Sequence, residues 1–87
     1  MITAKIIGTI WSTRKTEKLN GMKLLQAEII GGGPDNGRRL IVGDKMSAGI
    51  GERVIVTTGS SARRVLEDDS MPIDAAVVGI IDEDCDF

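Results

Sequence analysis

The 87-residue sequence contains no histidine and only one cysteine, Cys85. A zinc site built from Cys and His side chains is therefore excluded, and so is a disulfide within the chain. Serine–histidine and cysteine–histidine catalysis are excluded as well, because no imidazole can act as the base. A chain this short has little room for a deep substrate cleft beside its scaffold. The composition favours a protein that is not an enzyme and has no catalytic, cofactor or metal site.

Aromatic residues are almost absent, since Trp11 and Phe87 are the only two. Small barrels that bind single-stranded nucleic acid stack the bases on aromatic side chains, and this chain can offer only Trp11. No apolar run approaches the roughly 20 residues of a membrane-spanning helix, and the N-terminal stretch lacks the basic start of a signal peptide. We therefore expect a cytoplasmic protein that binds neither nucleic acid nor membranes.

The charged residues are distributed unevenly along the chain. Residues 1–64 hold all 11 basic residues and five acids, a net charge of +6, whereas residues 65–87 hold eight acids and no base. One interpretation is that the acidic end is a solvated tail. The other is that the acidic end of one copy faces the basic body of another, an arrangement that sets partner choice and register more than affinity.

Hydrophobic periodicity predicts a mainly β protein. Residues 2–12 alternate with period two and are rich in β-branched side chains, which is typical of a strand. Similar short segments predict four more strands, at 23–30, 38–42, 53–58 and 75–81. A short helix is expected at 60–67, capped by Ser60 or Ser61 and ended by acids that oppose its macrodipole. Short strands, one short helix and 11 glycines favour a small five-stranded, OB-like barrel.

The fifth predicted strand, 75–81, is apolar on both faces. A strand of this kind is covered on both sides, and the barrel interior accounts for only one of them. Two candidates remain for the other side, namely a partner subunit and the short helix. In the first case Val78 and Ile80 would lie at or near a subunit interface.

Two glycine-rich motifs do not fit nucleotide sites. The segment 31–37 lacks the Gly-Lys-Ser/Thr ending of a phosphate loop, and its composition predicts a hairpin loop. The segment Gly49-Ile50-Gly51 lacks the third glycine of a dinucleotide fingerprint. The segment 59–64, with two serines and two arginines, has two interpretations. It is either an anion-binding helix start or ordinary capping beside surface arginines.

Several ordered blocks resemble the EutN/CcmL proteins, the pentameric vertex proteins of bacterial microcompartments. The blocks span nearly the whole chain, at 8–13 (GTIWST), 19–25 (LNGMKLL), 48–54 (AGIGERV), 59–63 (GSSAR) and 72–82 (PIDAAVVGIID). The resemblance implies a vertex domain over 1–83, a short acidic tail over 84–87, and five-stranded barrels that assemble as a cyclic pentamer. It implies a structural role at the shell vertices without catalysis. Ser47, Gly43 and Arg53 depart from the residues that are frequent in the family.

The resemblance also implies partners and positions. The partners would be further copies of the chain and the hexameric or trimeric proteins that form the flat faces of a cytoplasmic shell. The residues expected near subunit contacts or a central pore are Ser47, Ala48, Gly49, Gly59, Ser60, Ser61, Arg63, Val78 and Ile80. The alternative function is that of a small OB-like module that binds anions or nucleic acid.

Overall fold

A computed structural model describes residues 1–10, 16–19, 21–68, 70 and 72–85 of the chain. It contains five strands, one α-helix and a single 3-10 turn at Glu17–Leu19. The elements are β1 (Ile2–Thr9), β2 (Lys23–Ile30), β3 (Arg39–Asp44), β4 (Arg53–Thr58), α1 (Ser60–Val65) and β5 (Ala75–Ile80). The third strand runs two residues further than predicted, and the helix ends two residues earlier. Trp11 and Ser12, predicted at the end of the first strand, lie outside the described residues.

The five strands close into a barrel with the order β1-β2-β3-β5-β4. All neighbouring strands are antiparallel except β3 and β5, which are parallel and pair through Gly43 and Ala76. The parallel pair has a single register position, so most of the facing edges of β3 and β5 are not paired with each other. The predicted small five-stranded barrel with one short helix is confirmed.

The barrel interior is filled by the inward side chains of all five strands. Alternation places Ala4 and Ile6 of β1 inside, with no exposed surface, while Lys5 between them points to solvent. Small and branched side chains suit an interior this narrow. The buried interior cluster consists of Ala4, Ile6, Leu25, Ala27, Val42, Ala48, Val54, Val56, Ala75 and Val77.

A second apolar cluster lies outside the barrel, beneath the helix. Ala62 and Leu66 pack there against Ile73 and against Ala76 of β5. Gly43 of β3 makes room for them, since a Cβ at that position would lie 3.1 Å from Leu66 Cδ1. The helix therefore covers the first part of the outer face of β5. Of the two candidates for covering this face, the short helix is the correct one at Ala76.

A bulge interrupts β5 beyond the helix. Val77 lies opposite Val56 and Gly79 lies opposite Ile55, so Val78 has no opposite residue in β4. The extra residue shifts the alternation of the strand by one position. Ile80 consequently pairs with the buried Val54 and packs against the interior cluster.

Candidate functional site

The loop after β3 contains three of the residues expected at contacts and is built around the carboxylate of Asp44. The Asp44 side chain is fully buried and accepts hydrogen bonds from the backbone N–H groups of Met46 (2.7 Å) and Ala48 (2.8 Å). These bonds bend the chain sharply, and Ser47 between them takes a left-handed φ of 59°. Ala48 is buried as a result, whereas Ser47 and Gly49 on either side are exposed.

Two lysines and a glutamate attach this loop to its surroundings. Lys23 of β2 donates to the Ala48 carbonyl at 3.1 Å and lies 3.6 Å from Asp44 Oδ2. Glu52 accepts the N–H of Gly49 at 2.6 Å. At the start of the loop, the Lys45 ammonium group donates to the Leu66 carbonyl just after α1. The structure thus brings the loop and the C-terminal end of the helix together.

The segment 59–63 begins with a glycine rather than a serine cap. Gly59 occupies the N-cap position with φ 73° and ψ −149°, and no side chain hydrogen bonds to the helix start. The prediction that Ser60 or Ser61 caps the helix is therefore wrong, because the Gly-only backbone conformation of Gly59 starts the helix one residue earlier. The Gly59 N–H instead donates to the Asp74 carbonyl at 2.7 Å. Both serines are exposed.

The remaining residues expected near contacts fall into different environments. Arg63 is half-buried on α1, and Val78 is half-buried in the β5 bulge. Ile80 is also half-buried, but it packs against the barrel interior because the bulge has reversed its direction. Val78 and Ile80 therefore do not share one face of the strand.

Arg53 has a function that the sequence did not reveal. From Nη2, its guanidinium group donates to three backbone carbonyls of the segment that follows β5. These carbonyls belong to Asp82 (2.9 Å), Glu83 (3.2 Å) and Cys85 (2.9 Å). The contacts hold the backbone of this segment and leave the carboxylates of Asp82, Glu83 and Asp84 exposed. The sequence offered one signal for this contact. It was a single arginine at the start of a predicted strand, in a chain whose C-terminal end is acidic.

The described carboxylates do not form a metal site. In the part of the chain that the structure describes, no group of three His, Cys, Asp or Glu is placed to hold a metal ion. Asp68 accepts hydrogen bonds from the hydroxyl (2.6 Å) and the N–H (2.9 Å) of Ser70. These bonds, the hydroxyl first, lower the pKa of the Asp68 carboxyl. Of the described helices, none has the length and apolar character to cross a membrane.

Comparison with known proteins identifies the family. The family model described as "Ethanolamine utilisation protein EutN/carboxysome" matches residues 1–82. The chain belongs to the EutN/CcmL family. The resemblance seen in the ordered sequence blocks is thereby confirmed.

Known members of the EutN/CcmL family match this chain over most of their length. The bacterial microcompartment shell vertex protein GrpN of Rhodospirillum rubrum (strain F11) is 48% identical over 87 residues, covering 94% of this chain and 93% of that protein. The carboxysome shell vertex protein CcmL of Synechocystis sp. (strain PCC 6803) is 43% identical, with 94% and 83% covered. A solved structure described as a pentameric microcompartment shell protein, GrpN from Rhodospirillum rubrum, superimposes with a TM-score of 0.82 at 42% identity. It covers 100% of both chains.

Proposed function

We propose that this chain is a structural vertex protein of a bacterial microcompartment shell and that it acts as a homopentamer. The main support is the match to the pentameric GrpN structure, which extends over the full length of both chains at 42% identity. This chain is a single barrel with no inserted domain relative to GrpN. It therefore has the same structural elements from which the GrpN pentamer is built. The function of the chain is then assembly rather than chemistry.

Five-fold units have a defined geometric task in a shell. A layer of hexagonal units is flat, and it closes into a polyhedron only where five-fold units replace six-fold ones. A cyclic pentamer repeats one pair of contact surfaces five times, so a modest apolar patch on each copy suffices to close a ring. Hexameric or trimeric shell proteins would be its neighbours in a cytoplasmic compartment.

The alternative of a small anion- or nucleic-acid-binding module has less support. The segment 59–64, on which the anion hypothesis depended, belongs to a helix of six residues whose start is fixed by Gly59 and the Asp74 carbonyl. Relatives that are 48% and 43% identical to this chain are shell vertex proteins. We propose accordingly that the protein has no catalytic function and does not bind nucleic acid or membranes.

Native mass spectrometry with light scattering tests the assembly. We expect a closed species of five 9.3-kDa copies at micromolar concentration. A stable monomer or dimer would overturn the proposal. In the host, removal of the gene without a paralogue should give shells that elongate or leak, and normal closed shells would contradict the vertex role.

A further inference from the structure

We propose that the ring is closed by two different faces of the barrel. The first is an apolar band across four strands, made of Thr3, Ile30, Ile55, Val78 and Gly79. The second is the outer face of β3, marked by Ile41 with Arg38 and Arg39, and it belongs to the next copy. This inference rests on the proposed pentamer and identifies the surfaces that form it.

The strand register places the apolar band in one row on the outside of the barrel. Ile30 lies opposite Thr3, Thr3 lies opposite Ile55, and Ile55 lies opposite Gly79. The Thr3 hydroxyl donates to the Ile30 carbonyl at 3.0 Å, so the one polar side chain in the row is already satisfied. A Cβ added at Gly79 would lie 3.8 Å from Ile55 Cδ1, in ordinary van der Waals contact, so the two positions adjoin on the outer surface. The row therefore presents an apolar surface without unmet hydrogen bonds.

Elements of the chain itself cover the surface on one side of the apolar band and border it on the other. On one side, the helix cluster includes Ala76 of β5 and stops before Val78. On the other side, Arg53 holds the segment after β5 through its backbone carbonyls. All five residues of the band remain half-exposed in the single chain. An apolar surface left between two covered regions is typical of a protein interface.

The outer face of β3 supplies the second surface that a ring contact needs. A ring contact is heterologous, so each copy must offer two distinct faces. Ile41 is 54% exposed, although Val42 beside it is fully buried. β3 is hydrogen-bonded to β2 and β5 and to neither β1 nor β4, which carry Thr3 and Ile55 at the centre of the apolar band.

Exposed charges of opposite sign lie near the two faces, although Lys5 borders the apolar band and Glu28 lies opposite Arg39. Near the apolar band, the segment after β5 exposes the carboxylates of Asp82, Glu83 and Asp84. At the β3 face, Arg38 and Arg39 are exposed, and the ion pair of Arg38 with Asp35 is long (3.7 Å) and solvated. Opposite charges of this kind set the register between copies, in line with the interpretation that the acidic end of one copy faces the basic body of another.

The size of the barrel is sufficient for such a contact. The molecule measures 38 × 24 × 23 Å along its principal axes. One long side of a body with these dimensions can supply the roughly 800 Å² per partner of a standard interface. Two such sides leave the ends of the barrel free for other neighbours in the shell.

Single substitutions test each face separately. Ile55→Asp alters the apolar band and Ile41→Asp alters the β3 face. Because an aspartate in an apolar contact is left unpaired, each variant should raise the concentration needed for ring formation by about 100-fold or more. Val65→Asp is the matched control, because Val65 is 37% exposed on α1 and outside both faces, and it should keep the ring. Circular dichroism checks that each variant is folded, and Ile55→Ser and Ile41→Ser replace any that is not.

Mixing the two variants distinguishes two faces from one. Each altered copy retains the face that the other has lost, so a 1:1 mixture should form a species of two copies and nothing larger. If the wild type is a pentamer and either variant remains one, or if the mixture forms no pairs, the inference is overturned while the proposed function stands. If the wild type itself is not a pentamer, the proposed function has failed.

Charge reversal tests the complementarity of the faces. Arg38→Glu with Arg39→Glu should weaken the ring, and Glu83→Lys with Asp84→Lys should weaken it as well. Combining all four changes in one chain should restore the ring, because the opposite charges then meet with exchanged signs. Losses that simply add in the combined variant would contradict a contact between these charges.

Discussion

The buried carboxylate of Asp44 offers a sharp test of how the loop after β3 is held. In Asp44→Ala the N–H of Ala48, a residue with 2% exposure, loses its acceptor inside the protein. The N–H of Met46 loses its acceptor too, but Met46 is exposed and its N–H can hydrogen-bond to water instead. A hydrogen bond to a charged acceptor contributes about 1.5–3 kcal/mol, and a buried donor left unpaired costs about 1–3 kcal/mol. We expect the free energy of unfolding to fall by about 3–5 kcal/mol, a large part of the 5–15 kcal/mol typical of a domain.

Urea denaturation followed by circular dichroism, at one fixed protein concentration, measures this loss. Lys23→Met is the comparison variant, because it removes the cation that faces Asp44 and its bond to the Ala48 carbonyl but leaves both backbone bonds to the carboxylate intact. The Lys23 side chain is 46% exposed, so its ion pair and this hydrogen bond together contribute about 1–2 kcal/mol. If Asp44→Ala costs under about 1 kcal/mol, or if Lys23→Met costs as much as Asp44→Ala, the backbone bonds do not hold the loop as described.

Three further predictions concern single positions. Gly43→Val should lower the free energy of unfolding by about 1–3 kcal/mol through crowding against Leu66, measured by thermal or urea denaturation; an unchanged stability would contradict the packing. Gly59→Ala should cost about 1–3 kcal/mol through backbone strain alone, since nothing lies within 4 Å of the new Cβ, and a neutral effect would argue against its φ of 73°. Ser70→Ala should raise the pKa of Asp68 towards 3.8 in an NMR titration. Because the folded-state pKa of Asp68 is lowered, the stabilisation that its ionised carboxylate gives is present above the unfolded pKa and is lost on acidification. A pKa that does not change in Ser70→Ala would refute the contact between the two side chains.

The strands could be predicted because their periodicity is local. The alternation of β1 places Ala4 and Ile6 inside before any other strand is known. The helix start could not be predicted in the same way, since serine was a good candidate by propensity. Gly59 begins the helix because its N–H reaches the Asp74 carbonyl, across 15 residues of chain.

The candidate contact residues were predicted unevenly for a similar reason. The apolar character of both faces of β5 indicated a second cover, and the structure assigns part of that cover to α1. The bulge at Val78 then separates it from Ile80, which a regular alternation places on the same face. A bulge depends on pairing with β4, so the sequence of β5 alone could not reveal it.

Composition and local pattern alone determined the class of this protein. The absence of histidine, the scarcity of aromatic residues, the short alternating strands and the ordered family blocks are properties of the chain in any conformation. Only the tertiary structure decided which apolar residues remain uncovered, that Arg53 holds the acidic segment, and that Asp44 shapes the loop after β3. Each of these depends on residues far apart in sequence meeting at hydrogen-bond or packing distance, and closure of the barrel sets those distances.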